Sequence, residues 1–330
     1  MRLGRKVILG VIVLCVSSML LQGCSKTQNV KSAEIETVKA EETTAEKGVE
    51  KHPKEGEIPE SKAWKIALDN EINHASNFIG FLNDSFGITV GYAGEMHYTD
   101  NGGKTWPRAK NESKCQYGVD VINGNLAWSS GNFGNVRVTV DGGKTWKAVS
   151  DSPSICNYVS FVDEQNGWLS SNKQLESTVN GGKTWKVNKL PEGIKEIAGI
   201  SLRTEKDGYI LNSEGTLFIT GDSGETWTRQ VLDFKSAGIL GGKLSPGSTA
   251  CAATRFSDKD HGIVVVNGMS QELKLKPWIF ETQDGGMTWK TEKLSIAEKY
   301  EFGNAFISHD GKYITLSNSK RVVVFKRSGA

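Results

Sequence analysis

The sequence predicts an all-β chain, on three observations. Glycine is abundant, 37 residues against 7 prolines, and nine tryptophans are spread among the turns, the composition of many short strands joined by tight connections. One eight-residue pattern recurs five times after residue 60, and a period near forty residues marks repeated supersecondary units. An apolar pair seven residues apart recurs upstream of each copy.

With 330 residues, 37% hydrophobic and 24% charged, the chain has the composition of an ordinary globular protein. Formal net charge is +2, and losing Arg2, Arg5 and Lys6 with an N-terminal leader leaves −1. A near-neutral chain without a basic block argues against nucleic-acid binding.

Those three cations precede an apolar run from Val7 to Leu21, the layout of a secretory signal. The run is shorter than the ~20 residues of a comfortable membrane span. It ends in Leu21-Gln22-Gly23-Cys24, which resembles the lipobox of bacterial lipoproteins. The resemblance implies cleavage after residue 23, a diacylglycerol on Cys24, and an extracytoplasmic protein held to the bilayer by acyl chains. The competing reading is an uncleaved anchor helix with an incidental Cys. Residues 25–60 contain no aromatic residue, too little apolar surface to offset chain entropy, and read as a flexible tether. A coil of that length spans on the order of 35 Å; a short helix near residues 40–50 is the alternative. The expected division is therefore 1–23 signal peptide, 24–60 lipidated Cys and linker, and 61–330 a folded domain.

The repeated segments read TDNGGKTW, TVDGGKTW, TVNGGKTW, TGDSGETW and TQDGGMTW, with Trp-to-Trp steps of 40, 39, 42 and 62 residues. Each suits a hairpin corner. Asn101, Asp141, Asn180, Asp222 and Asp284 carry short side chains that accept hydrogen bonds from turn amides. Gly103, Gly143, Gly182, Gly224 and Gly286 tolerate positive φ. Trp106, Trp146, Trp185, Trp227 and Trp289 supply buried area. Identical corners repeated along a chain are a building device, and a metal site needs oxygen ligands converging on one point; structural roles are expected for all fifteen residues.

These motifs are similar to the Asp box, or bacterial neuraminidase repeat, of sialidases, sortilin-type receptors and photosystem II assembly-factor-like proteins. The resemblance covers roughly residues 61–330. It implies a β-propeller with the box between the third and fourth strands of each blade, at the periphery. The upstream pairs are Phe81–Ile88, Val121–Trp128, Phe161–Trp168, Leu202–Tyr209, Phe256–Ile263 and, in a sixth copy, Phe306–Tyr313. That copy runs into RVVVFK without a box. The segment from Ser61 to Ile66 is expected to supply its outer strand, with Trp64 replacing a box Trp. Five complete units and one split unit make a single six-bladed propeller closed by the N-terminal strand. The alternative, seven blades, needs an extra blade inside the 62-residue step, which holds one recognisable unit.

Loops at the end of the wheel opposite the boxes are expected to carry function. The two long ones are 233–248 and 267–278, the second holding Lys274, Lys276 and Trp278, a set suited to a sugar or an anionic group; a solvated loop with its Trp packed down is the competing reading. Eight positions before each second-strand marker stand Gly80, Asp120, Ser160, Ser201, Arg255 and Ala305, an expected column at the axis. Blades two and five oppose each other, so Asp120 and Arg255 should face across the channel, as an internal ion pair or as part of a ligand site.

The Phe-Arg-Ile-Pro type motif of sialidases is missing. Arg108, Arg137 and Arg229 fall near boxes and Arg321 and Arg327 near the C-terminus, leaving Arg203 and Arg255 on inner strands, too few for a carboxylate-binding trio. His74, His97, His261 and His309 lack metal-ligand spacing, and no Cys-x-x-Cys is present. Cys115, Cys156 and Cys251 remain as thiols, with a Cys115–Cys156 bridge possible. No cofactor or metal is expected. The sequence reads as a monomeric, non-catalytic binding or assembly module for protein partners, the direction implied by the photosystem II assembly-factor-like resemblance, although nothing in it indicates photosynthesis. A carbohydrate-active protein, either a glycan-binding lectin or a glycoside hydrolase with an altered site, is the alternative.

Overall fold

The computed structural model describes residues 58–329 apart from 75, 77, 111–113, 133–134, 152–156, 243, 245–250, 271–274 and 297–300. The signal segment, Cys24, the tether before residue 58, Cys156 and Lys274 lie outside the described residues.

Six antiparallel sheets follow one another along the chain as blades 1 to 6, so the ring has six blades. In blades 2 to 5 chain order gives an inner strand, two middle strands and an outer strand. The inner strands are Phe78–Phe81, Gln116–Val121, Tyr158–Phe161, Ile197–Leu202, Cys251–Phe256 and Asn304–Ile307. The 62-residue step holds a single blade with long strands, Gly262–Met269 and Leu275–Thr282. Much of the expected 267–278 loop is therefore paired strand, with Asn267 opposite Pro277 and Gly268 opposite Lys276.

Blade 6 is closed by the N-terminal strand Trp64–Glu71, which pairs with Arg321–Arg327 from Trp64↔Arg327 to Glu71↔Arg321, with a bulge between Ile66 and Leu68. Trp64 is 3% exposed and packs with Ile263, Ile279, Ile307 and Phe325 between blades 5 and 6. Trp146 packs in the corresponding layer between blades 1 and 2, so Trp64 does fill a box Trp's place.

Two expectations need correction. Blade 1 has three strands rather than four. Its outer segment touches the sheet through one bridge, His97↔Arg108, because Pro107 follows the corner directly and lacks the N–H a longer ladder needs. In the sixth unit the first hairpin is one residue longer than the others. It closes from Ser308 N–H to the Tyr313 carbonyl, whereas blade 1 closes from Leu82 to Phe86. The column member is therefore Phe306, paired with Thr315 as Gly80 pairs with Ile88, and Ala305 is displaced from it. A Cβ on Gly80 would lie 3.2 Å from the Phe306 ring, so the large side chain of one blade uses the room left by the other.

The seven-residue pairs make aromatic layers between blades. Phe161 stacks on Trp128 of the preceding blade with centroids 3.8 Å apart and meets Trp185 of its own blade edge-on at 6.3 Å. Tyr209, Phe256 and Trp289 repeat the arrangement. Such pairs add about 0.5–1.5 kcal/mol each beyond area burial.

Candidate functional site: the axial channel and its charged plug

Inner strands line the axis, and polar side chains in and beside the column stitch neighbouring blades together. The Leu202 N–H donates to Ser160 Oγ at 2.9 Å, the Phe81 N–H to Thr315 Oγ1 at 3.1 Å, and the Phe161 N–H to Asp120 Oδ2 at 2.8 Å. Asp120 is 1% exposed, and its other oxygen faces the channel. Arg255 crosses from blade 5 and donates from Nη2 to Asp120 Oδ1 at 3.0 Å. Its Nη1 donates to the Leu202 carbonyl at 3.3 Å. The pair expected across the ring is in direct contact.

A third member was not foreseen. His309 Nε2 lies 2.8 Å from Asp120 Oδ1, brought there by the extra residue of the sixth hairpin. The regular seven-residue Phe306–Tyr313 spacing hides the insertion, which shows only in the pairing of Phe306 with Thr315, and which way the longer turn leans depends on its neighbours. Burial alone would raise the Asp120 pKa. The charges of His309 and Arg255, with hydrogen bonds from His309 and the Phe161 amide, outweigh it and hold the carboxyl at about 2. Asp120 is thus an ionised hub tying blades 2, 3, 5 and 6, and Arg255 adds blade 4.

Above this plug the axial channel opens as a small cavity of about 60 Å³ lined by Phe78, Tyr158, Asn157, Gly118, Gly199 and Ala252, with Thr254 and Arg255 at its base. Thr254 Oγ1 and Arg255 Nε are buried without a hydrogen-bond partner. The space suits an ordered water or the tip of an inserted side chain. Gly199 needs no special backbone conformation, and a Cβ there would meet only the Ala252 carbonyl at 3.6 Å; its missing side chain keeps the channel open.

The long-loop candidates are elsewhere. Arg255 pairs with Ile263 and Lys276 with Gly268, at opposite ends of one strand, roughly 17 Å apart along it. Lys276 is half-buried. Trp278 is 0% exposed, inside a cluster with Phe234, Ile239, Leu244 and Val266. It therefore offers no face to a sugar. Ala237 belongs to the same cluster, and Ile239 bridges Ser270, so the described parts of the two long segments are in contact. Arg137, expected near a peripheral box, is 1% exposed and donates from Nε to Asn135 Oδ1 at 2.9 Å. Arg203 bonds Asp207 within its own hairpin, leaving Arg255 as the arginine at the axis.

At the five corners the acidic and amide side chains are engaged by the turn. Asp141 Oδ1 accepts the Thr139 hydroxyl at 2.8 Å and the Thr145 N–H at 2.9 Å, and Oδ2 accepts the Thr145 hydroxyl at 2.6 Å. Asp222 and Asp284 repeat this. Asn101 and Asn180 keep the two Oδ1 bonds and donate from Nδ2 to Thr105 and Thr184. Threonine hydroxyl and amide donors hold Asp222 and Asp284 at about 2. Gly103, Gly143, Gly182, Gly224 and Gly286 have φ between 74° and 92°. Among the described residues no three His, Cys, Asp or Glu side chains group as a metal site.

A family model described as Photosynthesis system II assembly factor YCF48 matches residues 153–240, the span of blades 3 and 4. No curated protein matches the chain. A solved structure of YCF48 bound to D1 peptide is 16% identical with a TM-score of 0.50, covering 82% of this chain and 97% of that chain. The WD40 repeats of RRP9 are 8% identical with a TM-score of 0.53, covering 82% and 99%. U3-55K is 8% identical with a TM-score of 0.52, covering 81% and 99%. At such identities structural likeness shows the fold. The chain is a six-bladed β-propeller that resembles the photosystem II assembly-factor-like propellers.

Proposed function

We propose that this chain is a membrane-anchored, extracytoplasmic lipoprotein whose propeller is a non-catalytic docking module for segments of other proteins. The observation that carries the reading is the axial channel, open at one end between Phe78, Tyr158 and Asn157 and plugged at the other by Asp120, Arg255 and His309. A dead-ended slot on a rigid ring grips an inserted side chain and offers no route through. Asp120 is unsuited to general-base work, since it is 1% exposed, accepts three donors and stays ionised. The similarity to a propeller solved with a bound peptide supports the same direction. Leu21-Gln22-Gly23-Cys24 supports the anchor.

The test is crosslinking from intact membranes with the full chain, comparing wild type with Tyr158→Ala and Gly199→Leu, the second filling the channel. Defined protein partners lost in both variants are the expected result. Binding that is unchanged in both overturns the docking site, and a glycan-array signal without protein partners favours the carbohydrate alternative. Cys24→Ala should abolish fatty-acid labelling and release the protein from membranes; retention of both overturns the anchor.

A further inference from the structure

The ring closes where the N-terminal strand of blade 6 hands the chain to the inner strand of blade 1, and the link between them carries one of two stacked histidines. The Ile72 N–H donates to the Lys320 carbonyl of blade 6 at 2.7 Å. Two residues on, His74 turns onto the sheet of blade 1. Its ring lies 4.0 Å from that of His97, 27° from parallel, and meets Trp106 edge-on at 5.4 Å. Its Nε2 is 3.1 Å from the buried Thr89 hydroxyl. The link ends at Phe78, which begins the inner strand and lines the mouth of the axial channel.

Hydrogen bonds assign the protons of the two rings. His97 Nε2 lies 2.8 Å from Glu95 Oε2, and Nδ1 lies 3.1 Å from the Trp106 carbonyl. A carbonyl only accepts, and so does the Glu95 carboxylate, which the hydrogen bond from His97 holds below the usual carboxylate range. His97 therefore donates from both ring nitrogens and is a cation. His74 stands differently, because its Nδ1 is buried with no hydrogen-bond partner. A second proton on His74 would leave Nδ1 as a buried donor without an acceptor, stacked on a charged ring. Burial, and then the charge of His97, outweigh the attraction of Glu95 and push the His74 pKa from 6.5 down to about 4. Other charges around the link are committed elsewhere. Arg108 pairs with Glu95 at 3.0 Å, and on the N-terminal strand Asp69 and Glu71 face Arg321 at 2.6 and 3.9 Å. Residues 72–77 contain no other titratable side chain.

We propose that the stacked His74–His97 pair is an acid-sensitive latch on the closure of the ring. With His74 neutral, the link lies against blade 1. Protonation ejects the His74 ring, frees residues 72–77 and unseats Phe78 at the mouth of the channel. In the freed link His74 returns to its ordinary value of 6.5. Because the latched value is the lower one, the latch is fully held above pH 6.5 and weakens as pH falls toward 4. The opening equilibrium is expected to rise on the order of 70-fold between pH 7.5 and pH 4.5. Asp120 titrates below that window, at about 2, so the charged plug stays intact while the latch opens. The latch stands whether or not the channel docks other proteins.

The test is hydrogen exchange of the full chain by mass spectrometry between pH 7.5 and pH 4.5, corrected for the intrinsic exchange rate. Protection of residues 72–81 is expected to fall on the order of 70-fold in wild type, while the blade 3 strand Tyr158–Phe161 keeps its protection. His74→Phe, which keeps a ring in the stack and takes no proton, should hold residues 72–81 protected across the whole range. Unchanged protection in wild type, the same loss in His74→Phe, or a loss shared by all six blades would each overturn the latch. Wild type also gives a reading that needs no variant. The His74 C2–H resonance should titrate with a midpoint near 4, and a midpoint near 6.5 overturns the proposal as well.

Discussion

Asp120 shows how much one side chain can be asked to hold. Three donors from three other blades converge on it, and removing one partner of a buried ion pair strands the other charge. Asp120→Ala is expected to destabilise the folded chain by about 3–5 kcal/mol, read from denaturant unfolding with an unchanged slope. The acid side follows from its pKa, lowered from 3.8 to about 2. A depressed carboxyl contributes stability above its unfolded pKa and loses it as pH falls through the folded value. Between pH 4 and pH 2 the wild-type protein should lose about 2 kcal/mol from this group. The stability gap to Asp120→Asn should narrow over the same window. A gap constant with pH would mean that Asp120 does not carry the linkage. The residue was visible in the sequence as the one acid in its column, and so was Arg255 opposite. His309 was not, because a turn one residue longer can lean in several directions until the surrounding hairpins exclude all but one.

At the scale of the element, the blade is built from an exchange between glycine and aromatic volume. Gly208 lies beneath Trp168, where a Cβ would sit 2.1 Å from the ring; Gly167 and Gly262 stand in the same relation to Phe161 and Phe256 at 2.3 and 2.4 Å. Gly208→Ala should cost about 1–3 kcal/mol or more through overpacking. Gly199→Ala, facing open channel, should stay within about 0.5 kcal/mol. Thermal melts of the two variants side by side check the assignment, and equal losses would refute it. The corners were legible because their function is local: a Thr hydroxyl, an Asp or Asn oxygen and a positive-φ glycine satisfy one another within eight residues. The sixth hairpin and blade 1 were misjudged where the determinant was a single residue, an insertion in one and Pro107 in the other, that regular spacing conceals.

For the whole molecule the decisive contact is the one between its two ends. The strand Trp64–Glu71 gives blade 6 its outer strand and places Trp64 in the layer between blades 5 and 6. Area burial of that indole alone is worth about 4 kcal/mol. Deleting residues 61–71 would also bare the edge of Arg321–Arg327. Aggregation or a collapse of the melting transition is expected, measured by light scattering and calorimetry; a monomeric truncation melting as the full chain does would break the closure argument. The same closure leaves a groove at Glu281, since the N-terminal strand brings no corner with it.

What the sequence determined by itself is what a short window encodes, the corners and the aromatic spacing, and what counting the repeats adds, the number of blades and the pairing of first strand with last. The former follow from turn chemistry, which acts between neighbours in the chain, and the latter from periodicity, which leaves the sixth unit one strand short. Only the tertiary structure decided what meets at the axis and at the seam. His309 joining Asp120 and Arg255, Trp278 turning into the core and Glu281 lining a groove each depend on side chains far apart in sequence, and burial and charge select among arrangements that local propensity leaves equal.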